Sequence, residues 1–223
     1  MERQITAIHV QKHDPDRLNI ELDGEFAFGL SRLVAAWLKV GDFLSEDRIT
    51  TLIESDSSEV AYQKATRLLD YRPRTEKEIR QRLIQKGFGT LEIDQVVIRL
   101  KRANLVQDQQ FAKMWIENRN DYHPRSQRLM RYELRIKGVS EQLIESALAD
   151  SADDIELATR AAAHYARKLN YQDREVFRKK LSAYLARRGF SYGTITPVIR
   201  NLIRELEQDQ SNNLENEDDN GKY

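Results

Sequence analysis

The chain has 223 residues, 40% of them hydrophobic and 32% charged, with a formal net charge of zero. Its mean hydropathy of -0.69 argues against one compact globule and favours modules with a large surface. Cysteine is absent and no apolar run approaches the roughly 20 residues a bilayer requires, which excludes disulfides, thiolate chemistry and a helical membrane span; a soluble, cytoplasmic protein is expected.

Residues 1–58 read as a small β-meander with short helices. Ile5 to Val10 is β-rich, Leu18-Asn19-Ile20-Glu21-Leu22 alternates apolar and polar residues, and Asp23-Gly24 before Phe26-Ala27-Phe28 signals a hairpin. Asp14-Pro15-Asp16 is expected to supply the earlier turn. Leu33, Val34, Trp37 and Leu38 suit a short helix stopped at Gly41, and a second helix is expected from near Ser45. The polar run from Glu54 to Glu59 closes this adaptor.

Beyond it a register of 51 residues holds three times over. Gly87, Gly138 and Gly189 each end a basic, amphipathic segment; four positions earlier stand Leu83, Leu134 and Leu185, and eight earlier Ile79, Met130 and Leu181. Six positions after each glycine comes Ile93, Ile144 or Ile195. One structural unit used three times explains such a register. The units are read as 59–104, 105–152 and 153–207, each of three helices. The expected spans are 59–70, 75–86 and 91–103, then 108–120, 126–137 and 140–150, then 153–169, 173–188 and 192–207. Thr75 with Glu78 forms a capping-box pattern, Ser126 is the cap of the second middle helix, and Gly87 sits where a helix ends with positive φ. The fold expected is therefore mainly α: three tandem three-helix repeats in an elongated array behind a β-meander, with neighbouring repeats completing each other's core. A disordered acidic tail, 208–223, is expected to follow.

Zero net charge conceals a pattern. Residues 1–60 carry 6 basic and 12 acidic side chains, and residues 205–223 carry 1 and 7, leaving 29 basic against 17 acidic between them. A basic middle between acidic ends points to an anionic partner for the repeats. Lys77, Arg128 and Lys179 stand ten positions before the glycines, in the first turn of each middle helix. A cation there opposes the helix dipole, so local stability does not select it. Lys86, Lys137 and Arg188 stand directly before the glycines, where helix stability accounts for them. Arg74 and Arg125, after the turn prolines, are placed to reach an anion beside the first set, and Arg80, Arg131, Lys180 and Arg187 enlarge the positive surface.

No residue pattern points to catalysis, metal or cofactor. The four histidines are scattered, and Gly87-Phe88-Gly89-Thr90 lacks the lysine and third glycine of a phosphate loop and follows a helix.

The chain resembles the RecX family of recombination regulators. The resemblance rests on Asp23-Gly24-Glu25-Phe26-Ala27, on Arg74-Thr75-Glu76-Lys77-Glu78-Ile79 with Leu83 before Lys86-Gly87-Phe88, on Asp108 to Trp115, and on Tyr184 to Phe190. The stretch Ala103-Asn104-Leu105-Val106-Gln107 departs from it, lacking a glycine and an acidic pair. The resemblance implies a non-enzymatic, monomeric modulator of the RecA recombinase that lies on the RecA filament on single-stranded DNA. It would inhibit recombinase, ATPase and coprotease activities in DNA repair and the SOS response. The alternative from another class is a direct DNA-binding protein built of helix-turn-helix-like modules, with no membrane role in either case.

Overall fold

A computed structural model describes the backbone of residues 1–171 and 173–219, and side chains as far as Gln208. The chain divides into two compact units, Met1–Gln107 and Asp108–Tyr223.

The first unit opens with a four-stranded antiparallel sheet in the order β3-β2-β1-β4, made of β1 (Arg3–Gln11), β2 (Asp14–Leu22), β3 (Glu25–Ser31) and β4 (Phe43–Leu44). The Asp23-Gly24 hairpin forms as expected, both residues having positive φ (53° and 86°), as its two-residue turn requires. The earlier turn lies elsewhere than expected. Gln11 pairs directly with Asp14, so Lys12 and His13 make the turn and Pro15 falls in a register shift of β2, where no ladder donor is needed. The fourth strand was also not foreseen: two residues, paired as Arg3 with Leu44 and Gln4 with Phe43, are too few to leave a periodicity.

Between β3 and β4 lies the short helix α1 (Arg32–Ala35), and beyond β4 runs α2 (Glu46–Tyr71). The polar run from Glu54 to Glu59, read as the end of the adaptor, lies inside α2. Two of its acids are buried and paired. Asp56 accepts from the Ser31 amide at 2.5 Å and from Arg17 at 2.8 Å, while Glu59 holds Arg99 at 2.5 Å. One face of α2 therefore packs on the sheet through Leu52, with Ile5, Ile20, Leu22 and Leu30 beneath. Farther along, Ala61 and Ala65 pack on α3 (Glu76–Gln85) and α4 (Thr90–Arg102) through Ile79, Leu83, Ile93 and Leu100. The helix thus serves both the adaptor and the first repeat.

The second unit holds α5 (Asp108–Tyr122), α6 (Gln127–Ile136), α7 (Glu141–Leu148), α8 (Asp154–Ala166), α9 (Arg174–Arg187) and α10 (Tyr192–Asp219). These six helices bury one continuous apolar core, in which Met130, Leu134 and Ile144 of one repeat join Phe177, Leu181 and Leu185 of the next. Sharing a core between neighbours is the expected economy of a short repeat. The last helix passes the expected stop at 207 because no glycine or proline interrupts 198–219, and extending a nucleated helix costs little. For the expected disordered tail, residues 220–223 lie outside those described. Among the described residues no helix is long and apolar enough to cross a membrane.

Candidate partner-binding surface

Each middle helix ends in the same six-residue hydrogen-bond motif. Gly87, Gly138 and Gly189 have φ of 88°, 86° and 87°, and the next amide reaches back to Leu83, Leu134 or Leu185. This is the Schellman arrangement, which satisfies the last carbonyls of the helix. At the other end Thr75 makes the full capping box with Glu78, and Ser126 accepts from the Leu129 amide; both caps are fully buried. Asn104 fills the place of the missing glycine: its φ is 57°, and Leu105 bonds back to Leu100. Asparagine tolerates this conformation better than most side chains.

These frames place the nine candidate cations in three different settings. Arg80 and Arg131 are clamped by acids of the following helix: Arg80 meets Asp94 at 2.6 Å, as well as Glu76 of its own helix at 2.7 Å, and Arg131 meets Glu145 at 2.7 Å. The hydrogen bond it donates to Glu76, then that to Asp94, holds the Arg80 guanidinium above its usual range. The clamp itself obeys the register, since Arg80–Asp94 and Arg131–Glu145 are equivalent pairs; in the third repeat Ser182 and Thr196 occupy those positions.

Arg74 and Arg125 lie half-buried beneath the helix entrances. Arg74 donates to the Leu68 carbonyl at 3.0 Å, and burial, then nearby Arg72, lowers its pKa. Arg125 is paired with Glu133, and burial, followed by Arg119 and Arg188, lowers its pKa. Glu133 also accepts from Trp115 Nε1 at 2.9 Å and Arg119 at 3.1 Å. Trp115 packs half-buried against the core of this unit, with Arg119 and Lys137 over its ring at 4.2 and 4.5 Å. A tryptophan four residues before an arginine carried that signal on the helix surface.

The first-turn set divides. Arg128 donates to the Gly189 carbonyl at 3.2 Å, and beside it the Ser126 amide donates to the Arg188 carbonyl at 3.0 Å, fastening the second repeat to the third. Arg188 completes the clasp by donating to Pro124 at 3.0 Å, in keeping with the structural role expected for cations next to the glycines. Lys77 is exposed on α3. Lys179, Lys180 and Arg187 are exposed on α9 and have no acidic partner among the described residues. On α9, then, Arg174 is paired with Glu207 at 3.0 Å while these three cations are uncommitted.

Four family models match the chain in order. They are "Regulatory protein RecX N-terminal domain" over residues 3–45 and the first, second and third three-helix domains of RecX over 61–100, 108–148 and 152–199. The regulatory protein RecX of Leuconostoc citreum is 31% identical over 94% of this chain and 81% of its own length. That of Bacillus pumilus is 29% identical over 92% and 80%. A crystal structure of a regulatory protein RecX superposes with a TM-score of 0.68 at 26% identity, over 89% of this chain and 99% of the other. RecX from Lactobacillus salivarius, at 23% identity, shares the fold with a TM-score of 0.56, over 66% and 97%.

Proposed function

The chain belongs to the RecX family, and from that membership we propose that it is a non-enzymatic regulator of the RecA recombinase. In this reading it binds RecA and its filament on single-stranded DNA and inhibits the recombinase, ATPase and coprotease activities. DNA repair and the SOS response are its setting, with the cytoplasm its location and a monomer its working form. The observation that carries the placement is the exposed basic edge of α9, where Lys179, Lys180 and Arg187 make no ion pair among the described residues. An acidic protein surface or a phosphate backbone complements such an edge, because none of the three cations must first break an internal ion pair. Lys77 adds an exposed cation on α3. Arg128 serves the same reading indirectly, by fastening the end of α9 to the second repeat; Arg125 and Arg131 brace the second repeat itself, and Arg74 and Arg80 brace the first.

The test is RecA ATPase on single-stranded DNA with the protein titrated in below stoichiometry. The parent chain is expected to inhibit. The triple charge reversal K179E/K180E/R187E should raise the half-inhibitory concentration by about tenfold or more, as loss of charge complementarity slows encounter. A folded triple variant that inhibits like the parent removes α9 from the interface, and absence of inhibition by the parent removes the regulator reading.

A further inference from the structure

Where α5 ends, the second unit has a cleft of about 760 Å³ that the α9 edge does not account for. Its floor is a pair of parallel tyrosines, Tyr165 and Tyr184, with ring centroids 4.0 Å apart and planes inclined by 4°. Arg188 lies over the Tyr184 ring at 4.5 Å. One rim is Tyr122, the last residue of α5, with 72% of its surface exposed, followed by His123. From α8 and its end, Arg160, Arg167 and Lys168 also line the opening.

The cleft is strongly one-sided in charge. Four arginines and lysines line it against a single carboxylate, Asp121. Arg160 is paired with Glu156, and Arg188 is engaged with Pro124. Arg167 and Lys168 are exposed and have no acidic partner among the described residues. Cations directly after a helix favour its dipole, which accounts for charge at that place. It does not account for an exposed tyrosine lining the same cleft.

We propose that this cleft binds single-stranded DNA, with Arg167 and Lys168 on backbone phosphates and Tyr122 stacked on a base. A positively charged groove with an aromatic face is the arrangement that holds unpaired nucleotides without regard to sequence. Its volume suits about two nucleotides, judged by the size of pockets that hold small ligands. Duplex DNA, with its bases already stacked and paired, offers no free face to Tyr122. An acidic peptide would satisfy the cations and leave the ring without a partner. The site needs no recombinase, so its test is separate from that of the α9 edge.

The experiment is fluorescence anisotropy of a labelled oligothymidylate with the full chain, over a series of salt concentrations. R167A/K168A should flatten the slope of log affinity against log salt by about 1.4, from two lost phosphates at roughly 0.7 each. Y122A should weaken binding about tenfold while leaving that slope unchanged, as loss of one stacked base does. The control pair K12A/K39A, exposed lysines of the first unit, should change neither quantity. Melting temperatures equal to the parent's establish that each variant is folded. Several outcomes overturn the site: no oligothymidylate binding by the parent, cleft variants that bind like the parent, or equal losses in the control pair. So does tighter binding of a duplex of equal length, or competition by polyglutamate matching oligothymidylate charge for charge. These outcomes leave the ATPase result with K179E/K180E/R187E untouched, so either proposal can fail alone.

Discussion

At the scale of single residues, the three repeat glycines share a conformation and differ in surroundings. A Cβ on Gly87 would meet nothing within 4 Å, whereas one on Gly189 would lie 2.6 Å from Ser126 Oγ and 2.7 Å from Leu129 Cβ. Gly87→Ala therefore carries only the strain of a left-handed alanine, about 1–2 kcal/mol. Gly189→Ala adds the displacement of a neighbouring helix, for a total of about 2–5 kcal/mol. Urea denaturation of the two variants should show the difference; equal losses would mean the close approach carries no energy. The shared positive φ was legible from the 51-residue register and the flanking lysine or arginine. The close approach was not, because nothing in the sequence around Gly189 records that Ser126 lies against it. The same limit applied to the candidate cations. Spacing put Lys77, Arg128 and Lys179 in equivalent turns, but only the fold revealed that Arg128 donates to the Gly189 carbonyl while Lys179 makes no ion pair among the described residues.

At the scale of elements, ion pairs between helices hold the repeats in shape. Glu76 on α3 binds Arg80 at 2.7 Å and Lys101 of α4 at 2.5 Å. Burial acts to raise the Glu76 carboxyl, yet the hydrogen bonds from Lys101 and Arg80 outweigh it and hold the group below its ordinary value. A carboxylate with a lowered folded-state pKa contributes stability above its unfolded pKa, and that contribution is lost as pH falls through the folded value. Stability should thus decline below the ordinary glutamate range, about pH 4.3, as Glu76 takes up its proton. Glu76→Gln should be less stable than the parent at pH 7 and show a shallower decline on acidification. Thermal melts from pH 7 to 3 measure this, and parallel curves for the two proteins would contradict it. Helix positions were readable here to within a few residues because caps and glycines marked both ends. The continuity of α2 was not readable, since a run such as Glu54-Ser55-Asp56-Ser57-Ser58-Glu59 has the composition of a linker. Its buried acids find partners in Arg17 and Arg99, about 40 residues away in either direction.

At the scale of the whole molecule, the chain consists of two units with different internal plans. In the second, the two repeats share one core, so they should lose structure together. Phe177 is 1% exposed within that core, and Phe177→Ala should cost about 3–5 kcal/mol. Hydrogen exchange offers the check: amides of α6 and α7 should lose protection as much as those of α9, and loss confined to α9 would mean independent repeats. The sequence's self-similarity disclosed that there are three units, while the pairing of two of them into one core depends on complementary surfaces that periodicity does not describe. In the first unit, Asp56 and Glu59 stand less than one turn apart on α2, one gripping the sheet and the other α4. A single residue inserted between them would screw the downstream half of the helix, with α3 and α4 packed on it, round by about 100° relative to the sheet. An insertion of about seven residues, two complete turns, would bring the two grips back to the same angle while lengthening the helix between them by about 10 Å.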